Sequence, residues 1–137
     1  MLDQTDLHIL ALLRENSRLQ WKDIGEQVHL SGQAVGNRIR RMEEQGIIQG
    51  YTTIIDTSKV GPVLTAIISM FMKSNDHQAF IRFISNRPEV IEAHRTTGEG
   101  CYSLIVSVTD QTALNALLDE LLPFGNYRIS LSIGKIK

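Results

Sequence analysis

Between Ser31 and Met42 the chain carries three arginines, Arg38, Arg40 and Arg41, and no acid. No other stretch is as strongly one-signed, and the whole sequence of 137 residues has a net charge of −1. Guanidinium groups grip phosphate oxygens, and a local patch rather than the average charge decides whether a polyanion binds. Just upstream, Gln33, Ala34 and Asn37 fall within two helical turns of Ser31. Gln and Asn pair bidentately with adenine edges in a major groove, and an Ala methyl fits against a thymine methyl. Side chains that read bases early in a helix, followed by cations for phosphate, are the arrangement of a recognition helix on duplex DNA. Within it Arg38 is read as best placed for a base or a phosphate, and Lys22 as a further phosphate contact. Gly32 and Gly36 are read as letting the backbone approach the duplex. Glu43 and Glu44 end the patch, so one copy is expected to bind weakly and two are needed.

Such a helix needs a scaffold, and the first fifty residues supply one. Asp3 is an N-cap for a helix to about Asn16, with Leu7, Ile9, Leu10 and Leu13 as its apolar stripe. Trp21 to Val28 fits a second helix, and His29-Leu30 a tight turn where glycine is often preferred. Ser31 caps a third helix to about Gln45, with Val35, Ile39 and Met42 inward and Gly46 as its stop. Gly25 is small where two helices cross. Trp21 and Tyr51 read as packing anchors.

Beyond Gly46 the texture becomes β-rich. Ile47 to Ile55 reads as a strand, and Asp56 to Pro62, with Ser58, Gly61 and Pro62, as a linker. Val63 to Lys73 is a strand. Asn75 or Asp76 caps a helix through Ser85, buried on Phe80, Phe83 and Ile84, which Asn86-Arg87-Pro88 breaks. Val90 to Thr97 and Cys101 to Thr109 are strands joined by a turn at Gly98-Glu99-Gly100. Asp110 caps a helix with Ala113, Leu114, Leu117, Leu118 and Leu121 inward; Pro123 stops it, and Tyr127 to Ile136 is the last strand. The order βαββαβ is a ferredoxin-like unit, four antiparallel strands with both helices on one side. The fold class is therefore α+β, with a helix-turn-helix domain over 1–50, a hinge strand and linker over 51–62, and the ferredoxin-like domain over 63–137. In the first strand one face carries Val63, Ile67 and Phe71 and the other Leu64, Ala66, Ile68, Met70 and Met72, while the helices cover only one of the two. An antiparallel strand with a solvated face should alternate apolar with polar, so a second copy of the chain is expected to cover the face left open.

Composition sets the outer bounds. Hydrophobic residues make up 42% and charged residues 21%, a balance that excludes disorder throughout. No apolar run reaches the roughly 18 residues of a membrane span. Met1 to Asp6 lacks the basic-then-apolar plan of a signal peptide, so a cytoplasmic location and no membrane are expected. One cysteine, Cys101, forms no intrachain disulfide, and the four histidines His8, His29, His77 and His94 lack ligand spacing. No metal or cofactor is expected, and no catalytic residue: Cys101 and His94 drawn as nucleophile and base are better read as strand residues. Gly98-x-Gly100 precedes a strand rather than the helix of a dinucleotide fold.

Taken in order, these residues resemble the Lrp/AsnC, or feast/famine, transcription regulators. The resemblance is carried by Leu2-Asp3-xx-Asp6-xx-Ile9-Leu10, then by Leu30-Ser31-xxx-Val35-xx-Arg38-Ile39-xx-Met42-Glu43-xx-Gly46-Ile47-Ile48. Gly50-Tyr51, Asp56…Gly61, and Thr97-Gly98 before Tyr102 continue it. It implies a double-stranded DNA partner and a second domain that builds dimers through its sheet, often an octamer of four dimers. It also implies an amino-acid or other small-molecule effector near Thr97, Gly98, Glu99, Gly100 and Cys101. There backbone N–H groups would hold a carboxylate and an acid the α-amino group. The family commonly has aspartates just after the glycine, whereas Gly100, Cys101 and Ser103 stand here and Glu99 is the lone acid. A sequence-specific regulator is thus the leading reading and an enzyme is not expected. An effector-independent DNA-compacting protein, or a decarboxylase-like enzyme on the same fold, stand as alternatives.

Overall fold

Asp3 opens the first helix, α1 (Gln4–Glu15), through a reciprocal cap. Its carboxylate accepts the Asp6 N–H at 2.8 Å, and the Asp6 carboxylate accepts the Asp3 N–H at 3.1 Å. Helix α2 (Trp21–Val28) ends on His29 in the left-handed region, φ 57° and ψ 42°. Helix α3 (Gly32–Glu44) starts on Ser31, whose hydroxyl accepts the Ala34 N–H at 3.1 Å. Gly46, at φ +69°, follows its last turn. Ile9, Leu13, Ile24, Val35, Ile39 and Met42 form the buried core of this three-helix unit. Leu7, placed on the inward stripe by its spacing, is instead exposed.

A computed structural model describes residues 1–61, 63–98 and 100–137, grouped in two units, Met1–Ile54 and Ile55–Lys137. The segment 47–55 is not the strand its β-branched residues predict. Ile47 and Ile48 donate to the Met42 carbonyl, closing the end of α3. From 49 to 55 the backbone lies in no ladder, and a strand needs a partner that this stretch lacks within the chain. Tyr51 is no buried anchor either: it is exposed, its hydroxyl donating to Glu43 at 2.8 Å. The linker contains a 3-10 turn at Thr57–Lys59; Pro62, read as part of it, lies outside the described residues.

The second unit follows the expected βαββαβ order: β1 (Leu64–Met72), α4 (His77–Ser85), β2 (Val90–Arg95), β3 (Tyr102–Val108), α5 (Gln111–Leu121) and β4 (Gly125–Leu131). The sheet is antiparallel in the order β2-β3-β1-β4. Asp76 and Asp110 cap their helices through the Ala79 and Ala113 N–H groups. Ala66, Ile68, Met70, Leu104 and Val106 face α4 and α5 and are buried with Phe80, Leu114, Leu117 and Leu121. The last strand is shorter and earlier than Tyr127 to Ile136. Leu131 already pairs with Ala66, and β1 begins two residues earlier, so after the Ser132 N–H to Thr65 bond β4 has no neighbour. Its start is set by Gly125, which packs directly on the Phe71–Met72 backbone, where any Cβ would collide. On the uncovered face Ile67 pairs with Ile105 and Ser130, Ser69 with Ser103 and Arg128. The Arg128 guanidinium lies 5.3 Å over the Phe71 ring. That face therefore mixes apolar groups with serines and is less apolar than β1 alone suggests.

His29 is exposed and is the one non-glycine residue among those described with positive φ. A left-handed L-residue is strained by about 1 kcal/mol, which glycine relieves. His29→Gly is expected to raise the midpoint of urea unfolding, followed through the single tryptophan, Trp21, while leaving the helical circular dichroism unchanged.

Candidate nucleic-acid interface

Helix α3 shows its polar residues on two stripes. Gln33, Asn37 and Arg40 recur at i, i+4 and i+7 and are exposed. Ala34, Arg38 and Arg41 recur at the same spacing one residue later, a face about 100° around the helix. The first stripe is held from the α2 side. The Arg40 guanidinium lies 5.7 Å from the centre of the Trp21 ring, donates to the Asn37 side-chain oxygen at 2.9 Å, and reaches the Gly36 carbonyl at 3.4 Å. Trp21 is half-exposed, its indole lying directly on Gly36, so that a Cβ at Gly36 would overlap the ring. A Cβ at Gly32 would sit 3.2 Å from the Lys22 backbone nitrogen. The reading of Gly32 and Gly36 as openings toward a duplex is therefore corrected: both glycines admit α2. Gly25 does the same for the turn, its Cβ position overlapping the Leu30 carbonyl oxygen. Lys22 is exposed beside the start of α3, and Ser31 is engaged as the helix cap.

The second stripe is tied to α1. Arg38 Nη1 donates to Asp3 at 2.7 Å and to Asp6 at 2.8 Å, and Arg41 Nη2 donates to the other Asp6 oxygen at 2.8 Å. Asp6 is fully buried, 0% exposed. Burial acts to raise its carboxyl, but the Arg38 hydrogen bond and the Asp3 N–H outweigh it and hold the group below its ordinary 3.8. The Arg38 bond likewise lowers Asp3, and the two acids raise Arg38. Spacing along α3 could not show this, because the acids lie more than thirty residues upstream. The signal that was available is Asp6 itself, an acid on the inward side of α1 between Leu2 and Ile9.

In the second unit the β2–β3 turn brings Thr97, Gly98, Gly100 and Cys101 together at the end of β1; Glu99 lies outside the described residues. Gly98 and Gly100 have φ of +88° and +104°, a conformation that favours glycine. The Cys101 N–H donates to the Met70 carbonyl at 2.7 Å, so it is engaged within the sheet. Thr96 closes the turn, its hydroxyl donating to the Gly100 carbonyl at 3.2 Å. Behind it Tyr102 is buried on Phe80 with its hydroxyl 2.8 Å from His77 Nδ1. His94 bonds Glu92. Among the described residues no cluster could hold a metal ion, and no helix is long and apolar enough to cross a membrane.

Residues 2–43 match the model of the AsnC-type helix-turn-helix domain, and residues 65–137 that of the Lrp/AsnC ligand binding domain. The chain belongs to the Lrp/AsnC family. It is 48% identical over 136 residues to the transcriptional regulator LrpB of Bacillus subtilis, across 99% of this chain and 91% of that protein. It is 33% identical to LrpA of the same organism, across 98% and 100% of the two chains. The structure of Bacillus subtilis LrpC superposes with a TM-score of 0.89 at 28% identity, covering 100% and 98%. A Neisseria meningitidis regulator solved with L-Met superposes with a TM-score of 0.89 at 31% identity, covering 100% and 93%. The family is one of transcription regulators, not enzymes, which answers the decarboxylase alternative.

The buried ion pairs make the first unit sensitive to acid. A carboxyl whose pKa is lowered by folding stabilises fully above its unfolded value and loses that contribution as pH falls through the folded value. Asp6→Asn is expected to cost about 2 kcal/mol near neutral pH. That deficit should be constant well above the ordinary carboxyl value of 3.8 and shrink as the pH falls below it through the lowered folded value. Unfolding read from Trp21 fluorescence across pH checks both parts.

Proposed function

We propose that this protein is a sequence-specific DNA-binding regulator that reads double-stranded DNA through the outer stripe of α3. Gln33 and Asn37 read base edges, Ala34 meets a thymine methyl, Arg40 and Lys22 hold phosphates, and Ser31 fixes the helix start. The observation that carries this reading is the exposed row of Gln33, Asn37 and Arg40, with Arg40 steadied on Trp21. Such a row delivers bidentate adenine recognition from the first turns and a cation beyond them.

The protein acts as a homodimer or as an octamer of four dimers, in the cytoplasm with its DNA. Ile54 and Ile55 are exposed on the unpaired segment, and Ile67 on the open sheet face; a second copy is the simplest cover for both. Two recognition helices then meet half-sites about one helical turn apart, or a multiple of that. The second domain takes an amino acid or similar small molecule beside Thr97, Gly98, Glu99, Gly100 and Cys101. A relative solved with L-Met supports the ligand class. With the Cys101 N–H bonded to Met70, the side chains of this turn and a neighbouring copy must do more of the binding.

Titration against the DNA just upstream of its own gene and against a random fragment tests the DNA reading. Preference for the first is expected, with Asn37→Ala losing about 1–3 kcal/mol on it and much less on the random fragment, where only its bond to Arg40 counts. Equal affinity for both fragments would favour DNA compaction. Calorimetric titration with L-methionine and the other amino acids is expected to give saturable binding to wild type that Gly98→Val abolishes. No heat with any of them would remove the effector.

A further inference from the structure

We propose that Arg38, backed by Arg41, is a positioning residue that locks the recognition helix to α1 and makes no contact with DNA. The inference rests on the reading of α3 as the DNA-contacting helix.

Three features of the structure carry it. First, Arg38 and Arg41 sit on a stripe about 100° from Gln33, Asn37 and Arg40, so a groove that accepts one stripe does not face the other. Second, one nitrogen of Arg38 donates to two carboxylates, Asp3 and Asp6, while Arg41 holds the second oxygen of Asp6. A phosphate approaching Arg38 meets the half-exposed Asp3 carboxylate bonded to the same guanidinium, and that like charge opposes its approach. Third, the Asp6 carboxylate is fully buried and its remaining donor is the Asp3 N–H. Withdrawing the guanidinium groups toward DNA would leave a buried carboxylate short of partners, a costly arrangement.

The lock joins α3 to the first turn of α1 at the same two residues that cap α1, so the pitch of the reading face depends on it. It also changes how the basic patch counts. Residues 1–50 hold six Lys and Arg against seven Asp and Glu. With Arg38 and Arg41 paired internally, Arg40 is the one arginine of the patch left facing the groove. Affinity then depends less on salt than three arginines would suggest, and discrimination rests on how accurately Gln33 and Asn37 are held.

The test compares Arg38→Met with Arg40→Met in the full-length protein, on the upstream and random fragments, over a salt series. Arg40→Met is expected to flatten the plot of log affinity against log salt by about 0.9 for each copy bound, with unchanged thermal stability. Arg38→Met is expected to keep the wild-type slope, to lower the thermal transition followed by Trp21, and to cut the ratio of upstream to random affinity roughly tenfold. A slope flattened as in Arg40→Met would overturn the proposal, as would a wild-type ratio. Should Arg38→Met fail to fold, Asp3→Asn decides, because Asn caps a helix as well as Asp does. By charge alone that change tightens binding to both fragments; the lock predicts a lower upstream-to-random ratio, and an unchanged or higher one refutes it. If the wild-type protein binds neither fragment, the DNA reading itself fails, whereas a slope shared by Arg38→Met and wild type with a lost ratio separates the lock from that failure.

Discussion

A carboxylate taken out of water must be met by donors, and Asp6 is the one fully buried charged side chain among the described residues. Its partners come from two places. The Asp3 N–H belongs to the cap of α1, while Arg38 comes from the middle of α3 and Arg41 from its last turn. The first helix and the recognition helix are therefore joined by directional bonds as well as by Ile9, Leu13, Val35, Ile39 and Met42. Apolar packing alone tolerates small rotations of a helix about its axis. A charged pair with fixed distances does not, and under the proposed reading that rotation decides whether Gln33 and Asn37 point at base edges.

The opposite side of α3 is set by the absence of side chains. Gly32 and Gly36 let α2 lie against the helix, and Gly36 receives the Trp21 ring that carries Arg40. One flank is thus pinned by charge and the other by close packing, with the reading stripe between them. In the second unit backbone constraints play a comparable part. Gly100 and Gly125 bring chain segments against the carbonyls of β1, and the turn near Cys101 is tied to Met70.

Helix caps, the βαββαβ order and the family resemblance were legible because they depend on local residue types: Asp3, Ser31, Asp76 and Asp110 each cap the helix expected of them. The segment 47–55 forms no strand within one chain because β-branched residues state a preference, while a ladder requires a partner, and it pairs with none among the described residues. The last strand was placed too late because its limits are fixed by β1, more than fifty residues upstream. At the candidate site, spacing groups Arg38 and Arg41 with Gln33, Asn37 and Arg40, whereas the fold ties those two arginines to Asp3 and Asp6. A run of like charges looks uniform along a sequence, and a helix separates it onto different faces. The opposing acids lie in α1, where no rule of i and i+4 reaches.

The division of the three arginines is the central claim, and arginine side-chain NMR of the free and DNA-bound protein tests it most directly. Guanidinium signals of Arg38 and Arg41 should be slow to exchange in the free protein and keep their positions when DNA is added, while those of Arg40 shift. Movement of the Arg38 and Arg41 signals together with Arg40, or loss of their protection in the complex, would contradict the account.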